Sequence, residues 1–101
     1  MIKLTVLYGH PKDPAAFERY YVETHMPLAA QVRGFRRIEL AKVIGTPEGG
    51  APAFYRMADI YFDNPEQMKQ VMATPEARKT VADIANFATG GVTTFVAQVQ
   101  D

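Results

Sequence analysis

The chain has 101 residues, 48% hydrophobic and 22% charged, which is room for one domain spanning 1–101. Eleven Lys and Arg balance eleven Asp and Glu, and that balance excludes a general nucleic-acid or membrane-surface binder, which needs excess positive charge. Cys, Trp and Ser are absent, so no disulfide, thiolate nucleophile or Ser-His-Asp triad can form.

Residues 2–8 alternate Ile2, Leu4, Val6 and Tyr8 against Lys3, Thr5 and Leu7, the period of a strand and not of a signal peptide. Asp13-Pro14 starts a helix, because Asp accepts from the free N–H groups and Pro costs nothing at the first helical position. That helix runs to His25 and is interrupted at Met26-Pro27, where Pro27 cannot donate to the carbonyl of Glu23. A last turn follows from Pro27 to Val32, and Gly34 ends the unit. Phe35–Ile44 reads as a second strand, residues 45–50 as a loop, and Phe54–Phe62 as a third strand. Asn64-Pro65 and Thr74-Pro75 repeat the helix start, so the second helical region splits at Ala73-Thr74. Its longer half carries the apolar stripe Val81, Ile84, Ala85 and Ala88. Gly90-Gly91 ends it, and Val92–Val99 is a fourth strand without charge. No apolar run approaches the ~20 residues of a membrane span, and a chain without Cys fits the cytoplasm.

The order strand, helix, strand, strand, helix, strand with right-handed crossovers predicts a ferredoxin-like βαββαβ α+β sandwich with a four-stranded antiparallel sheet. Both helices then cover one sheet face. The third strand, however, carries apolar or aromatic residues at both parities, with Ala58, Ile60 and Phe62 on one and Met57 and Tyr61 on the other. Sheets with two apolar faces are buried on both sides, so the expected assembly is a homodimer packed sheet to sheet, enclosing a pocket in each half.

The segment Phe17-Glu18-Arg19-Tyr20-Tyr21-Val22-Glu23-Thr24-His25-Met26-Pro27-Leu28 resembles the signature of the EthD family, named for ethyl tert-butyl ether degradation. Ala58–Asp63 is similar to that family's third strand, and Asp83-Ile84-Ala85-Asn86-Phe87 to its Asp-x-x-x-Phe element. The resemblance implies a dimeric α+β barrel. Relatives with this barrel include cyclases, dehydratases, isomerases, decarboxylases and monooxygenases, so it leaves the reaction open.

His25 is the leading catalytic candidate, since imidazole moves protons near neutrality without a metal. Tyr21, four residues earlier, shares its helix face, and Tyr8 can add a phenol that polarises a carbonyl. The other reading of His25 is a side chain satisfying free carbonyls at a helix end. Tyr20, Asp83 and Phe87, taken from the family motifs, and Asp59, Met57 and Tyr61, from the third strand, are the candidate substrate-binding residues. Asp83 either orients His25 or is a solvated helix carboxylate. Asp59 and Arg56 line the pocket or pair with a neighbouring strand's charge. His10, in a loop beside Pro11, reads as a surface residue. Two His residues fifteen apart make no metal site, and the expected cofactor is none; haem, which needs one axial His and which some relatives bind, is the alternative.

These residues point to a cofactor-independent lyase, isomerase or cyclase acting on a small apolar or aromatic carbonyl compound. Alternatives are a ligand-binding accessory protein for a partner oxygenase of the ether-degradation type, and a cofactor-free monooxygenase. An RNA-recognition domain shares the topology, but residues 54–62 lack the glycines and placed aromatics of that module.

Overall fold

Three helices start where a capping residue precedes a proline. Asp13 accepts from Ala16 N at 3.1 Å, Asn64 from Gln67 N at 2.8 Å and Thr74 from Ala77 N at 3.3 Å. Each cap satisfies one of the free N–H groups of its helix, and the proline behind it has none to satisfy. The computed structural model describes residues 1–100. In chain order they form β1 (Ile2–Tyr8), α1 (Pro14–Tyr20), a π-helical turn (Tyr21–His25), α2 (Met26–Ala29), β2 (Arg37–Lys42), β3 (Arg56–Phe62), α3 (Pro65–Met72), α4 (Pro75–Asp83), a 3-10 turn (Ile84–Asn86) and β4 (Val92–Gln98). The split between α3 and α4 falls at Ala73-Thr74, as the second Thr-Pro start requires.

The break expected at Met26-Pro27 is instead a π-helical turn. Met26 N–H donates to the carbonyl of Tyr21, five residues back. A proline ring crowds the carbonyl four residues before it, and widening one turn lets the helix continue through Pro27 to Ala29. Such turns are rare and concentrate at functional sites.

The strands form one antiparallel sheet in the order β2-β3-β1-β4. This is the ferredoxin-like α+β arrangement. Cross-strand partners share a face, so the register puts Ile2, Leu4, Val6, Tyr8, Ala58, Ile60 and Phe62 on one side. The helices cover that side in two clusters. One joins Val6, Tyr8 and Ala58 to Phe17, Tyr21, Tyr55 and Phe87. The other joins Ile2 and Phe62 to Val71, with Val32, Phe35 and Met68 packed against it. A close backbone crossing beside Tyr8 lets the end of β1 meet the start of β4. There a Cβ on Gly90 would collide with the carbonyl of His10, so only glycine fits.

Two expectations change. The stripe after Thr74 holds at Ile84 and Ala88, which pack against the first cluster, but not at Ala85 or at Val81, which is 49% exposed; Ala77, Asp83 and Phe87 are the buried positions. The second sheet face is also less apolar than the parity count implied. Lys3, Thr5, Glu39, Asp59 and Tyr61 form its polar centre, and Leu7, Met57 and Phe95 share that face. Among the described residues no helix is long and apolar enough to cross a membrane.

Candidate functional site

The three residues singled out for acid/base work come from two elements and meet at one cavity. Tyr8 closes β1, while Tyr21 and His25 open and close the π-helical turn. The Tyr21 and His25 rings stack at 5.7 Å with 23° between their planes. Tyr8 meets Tyr21 edge-on at 5.9 Å. The cavity, about 100 Å³, lies between the sheet and the helices and is lined by all three. From them it runs into the second apolar cluster, past Leu4, Ile60, Phe62 and Val71. Its exposed rim is Ile38 and Leu40 of β2 and Val81 of α4. No Lys, Arg, Asp or Glu lines it among the described residues.

Every fully enclosed side-chain nitrogen or oxygen among the described residues has a hydrogen-bond partner. Tyr8 Oη, Tyr21 Oη and His25 Nε2 make no hydrogen bond within the protein, so each keeps an opening to the space beside it. A buried polar atom without a partner costs roughly 1–3 kcal/mol, a cost that such an opening relieves.

Behind His25 stands Asp83, the last residue of α4. Its Oδ2 lies 3.1 Å from His25 Nδ1. Its Oδ1 accepts from Tyr20 Oη at 2.6 Å and from Asn86 Nδ2 at 3.0 Å. Burial alone would push the Asp83 carboxyl upward, but the hydrogen bonds from Tyr20, Asn86 and His25 outweigh it and hold the carboxyl below its ordinary range. An ionised carboxylate only accepts. Nδ1 of His25 is therefore the donor, and in the neutral ring Nε2 carries the free lone pair.

Burial pushes the phenols of Tyr8 and Tyr21 upward. At Tyr21 the Arg56 guanidinium, 4.8 Å over the ring, pulls the other way. Both phenols are neutral hydroxyl donors at physiological pH. Arg56 is itself held by Glu18 through two hydrogen bonds, 2.6 and 3.2 Å, and Tyr55 Oη donates to the same carboxylate at 3.1 Å. Arg56 thus braces the Tyr21 ring from the strand side; a sequence count that weighed it alone missed its partner Glu18.

The expected substrate-binding residues divide. Tyr20, Asp83 and Phe87 do not line the inner cavity: Tyr20 and Asp83 stand behind His25, and Phe87 packs on its ring at 4.7 Å. Asp59, Met57 and Tyr61 stand on the opposite sheet face, because residues directly paired across strands share a face and theirs is the one the helices leave uncovered. There Thr5 donates to Asp59 at 2.5 Å, Lys3 approaches it at 3.6 Å, and Tyr61 donates to Glu39 at 2.8 Å. Asp59 is thus paired with a neighbouring strand's lysine. His10 is exposed and reaches the Pro52 carbonyl at 2.7 Å. Asn86, three residues after Asp83 on the same helical face, joins the site through its hydrogen bond to that carboxylate. Among the described residues no three His, Cys, Asp or Glu side chains gather as metal ligands.

The family model that matches this chain is the EthD domain, over residues 10–91. An uncharacterized 11.0 kDa protein from the thcB-thcC intergenic region of Rhodococcus erythropolis is 40% identical over 93 residues, covering 92% of this chain and 89% of that one. A solved structure of an EthD family protein from Bacillus halodurans is 33% identical and superposes with a TM-score of 0.90, covering 99% of both chains. At the level of fold alone, a dimeric ferredoxin-like protein of unknown function from Bacteroides fragilis is 16% identical with a TM-score of 0.68, covering 97% of this chain and 95% of that one.

Proposed function

Because the chain belongs to the EthD family, we propose that it binds a small, uncharged, apolar or aromatic carbonyl compound and moves a proton on it without a cofactor, as a lyase, isomerase or cyclase. One observation carries this reading: His25, Tyr8 and Tyr21 line one apolar cavity, their Nε2 and Oη atoms have no partner in the protein, and His25 Nδ1 is tied to Asp83. An apolar chamber with a few convergent polar groups is the usual form of a small-molecule site. The absence of charge in its lining selects against carboxylates and phosphates, which would enter unpaired.

In this mechanism the ligand's carbonyl oxygen accepts from the Tyr8 and Tyr21 hydroxyls. His25 Nε2 takes a proton from the adjacent carbon, and the C–H electron pair passes into an enolate whose oxygen the two hydroxyls stabilise. Asp83 stays ionised and stabilises the imidazolium that forms. Return of the proton to another carbon gives isomerisation; departure of a β-substituent gives elimination; attack on a second carbonyl closes a ring.

The assembly that suits this chain is a homodimer formed through the sheet face away from the helices. That face combines a satisfied polar centre with Leu7, Met57 and the 47%-exposed Phe95, and a fold relative is dimeric.

The test needs no knowledge of the natural substrate. A panel of small cyclic and aryl ketones in D2O is followed by proton NMR for loss of the hydrogens next to the carbonyl. Wild-type protein is expected to accelerate exchange of at least one ketone that it binds, and His25→Gln to abolish the acceleration. Ketones that bind in the cavity without faster exchange would sink the catalytic reading and favour the accessory ligand-binding one.

A further inference from the structure

Asp83 stands between His25 on one side and the pair Tyr20 and Asn86 on the other. Its Oδ2 faces His25 and, through it, the inner cavity. Its Oδ1 is held by Tyr20 and Asn86, both of which line a second cavity of about 200 Å³ on the exposed side of α1, beside Lys12 and Thr89. The carboxylate is 8% exposed, so its orientation is decided by these contacts and not by bulk water. With Oδ1 pinned at two points, rotation of the carboxyl group is blocked and Oδ2 remains in line with Nδ1. Without the pins, Oδ1 can trade places with Oδ2 or turn to the outer cavity, and the imidazole loses its fixed partner. The hydrogen bonds to an ionised group are the strong ones, and partners behind a working imidazole set its tautomer and aim.

We infer that Tyr20 and Asn86 are positioning residues for His25, acting through Asp83 to hold Nδ1–H in place and present Nε2 to the ligand. Tyr20 is thereby reassigned from contacting substrate to anchoring the base, and Asn86 gains a role that its exposed position does not announce. The other ionisable groups on this side are Tyr21, stacked on the His25 ring from its own turn, Tyr8 from β1 in the same cavity, and Arg56 from β3, which lies over Tyr21 and is paired with Glu18 of α1. None of them bonds Asp83 directly, so the variants leave them in place. The inference rests on the reading of His25 as the base.

The experiment measures exchange of the His25 ring Nδ1–H with water by NMR in nitrogen-15 histidine-labelled protein. Backbone amide exchange in α4 is recorded in the same samples. In wild-type protein the ring proton is expected on Nδ1. Tyr20→Phe and Asn86→Ala are each expected to raise its exchange rate about tenfold, the effect of losing one charge-assisted hydrogen bond from the anchor, while α4 amide exchange is unchanged. An unchanged ring rate overturns the inference. A ring rate that rises together with the α4 amides also overturns it, because the residues would then hold the helix and not the base. A wild-type ring proton found on Nε2 overturns the base reading itself. If Tyr20→Phe does not fold, the exposed Asn86 carries the test.

Discussion

Two aspartates in this molecule are almost equally buried, Asp59 at 7% and Asp83 at 8% exposure, and their surroundings differ completely. Asp59 lies on the outer face of the sheet, where Thr5 donates to it and Lys3 brings a full positive charge. Asp83 lies between α4 and the π-helical turn, where its partners are a phenol, an amide and an imidazole. The outer carboxylate is thus compensated by an ammonium and a hydroxyl. The inner one is compensated by hydrogen-bond donors, one of them on an imidazole, a ring suited to moving a proton. Burial alone does not mark a functional carboxylate; the kind of partner that compensates it does.

The contrast can be tested from the strongest effect downward. His25→Gln should lower proton exchange of a bound ketone by at least about a hundredfold, the usual worth of a general base. Asp59→Asn should leave that rate within about twofold. An equal loss in both variants, measured by the same NMR assay, would erase the distinction between the two regions.

Asp83→Ala should cost roughly 2–3 kcal/mol in urea denaturation, because it strands the buried Nδ1–H of His25 as well as removing an acceptor. Phe95→Asp should leave the inner site intact and halve the mass seen by light scattering, because it places unpaired charge in the proposed interface. A protein that stays dimeric with that change would move the interface elsewhere.

The smallest effect is the dependence of stability on pH. The carboxyl of Asp83 titrates lower in the folded chain than in the unfolded one. The unfolded chain therefore binds more protons in the acid range, and stability rises with pH there. Its contribution is complete above the ordinary carboxylate range, near pH 4, and is lost as pH falls through and below it. Glu18, lowered chiefly by its hydrogen bond from Arg56, adds to the same window. Asp83→Asn should flatten the fall in urea midpoint between about pH 5 and 2 relative to wild type; an identical slope would mean that Asp83 gains nothing from its partners.

Some of this could be read along the chain, and the failures have physical causes. The three capped proline starts are local rules, and all three hold. The π-helical turn escaped because Pro27 signals a disturbance without saying how the helix absorbs it. The stripe after Thr74 was drawn through Val81 because apolar periodicity treats a carboxylate as a surface residue. Asp83 turns inward because Tyr20 and His25, 63 and 58 residues away in sequence, satisfy it there, and no window along α4 contains them.

Composition, alternation and capping determined the elements, their order and the ferredoxin-like sheet, since those depend on backbone hydrogen bonding within a few residues. By leaving out Cys and Ser they also excluded a thiolate nucleophile and a Ser-His-Asp triad. Which side of the sheet holds the cavity, and which carboxylate stands behind His25, were decided only when the chain closed on itself. A hydrogen bond between distant residues depends on where the fold brings them, and local periodicity carries no information about that distance.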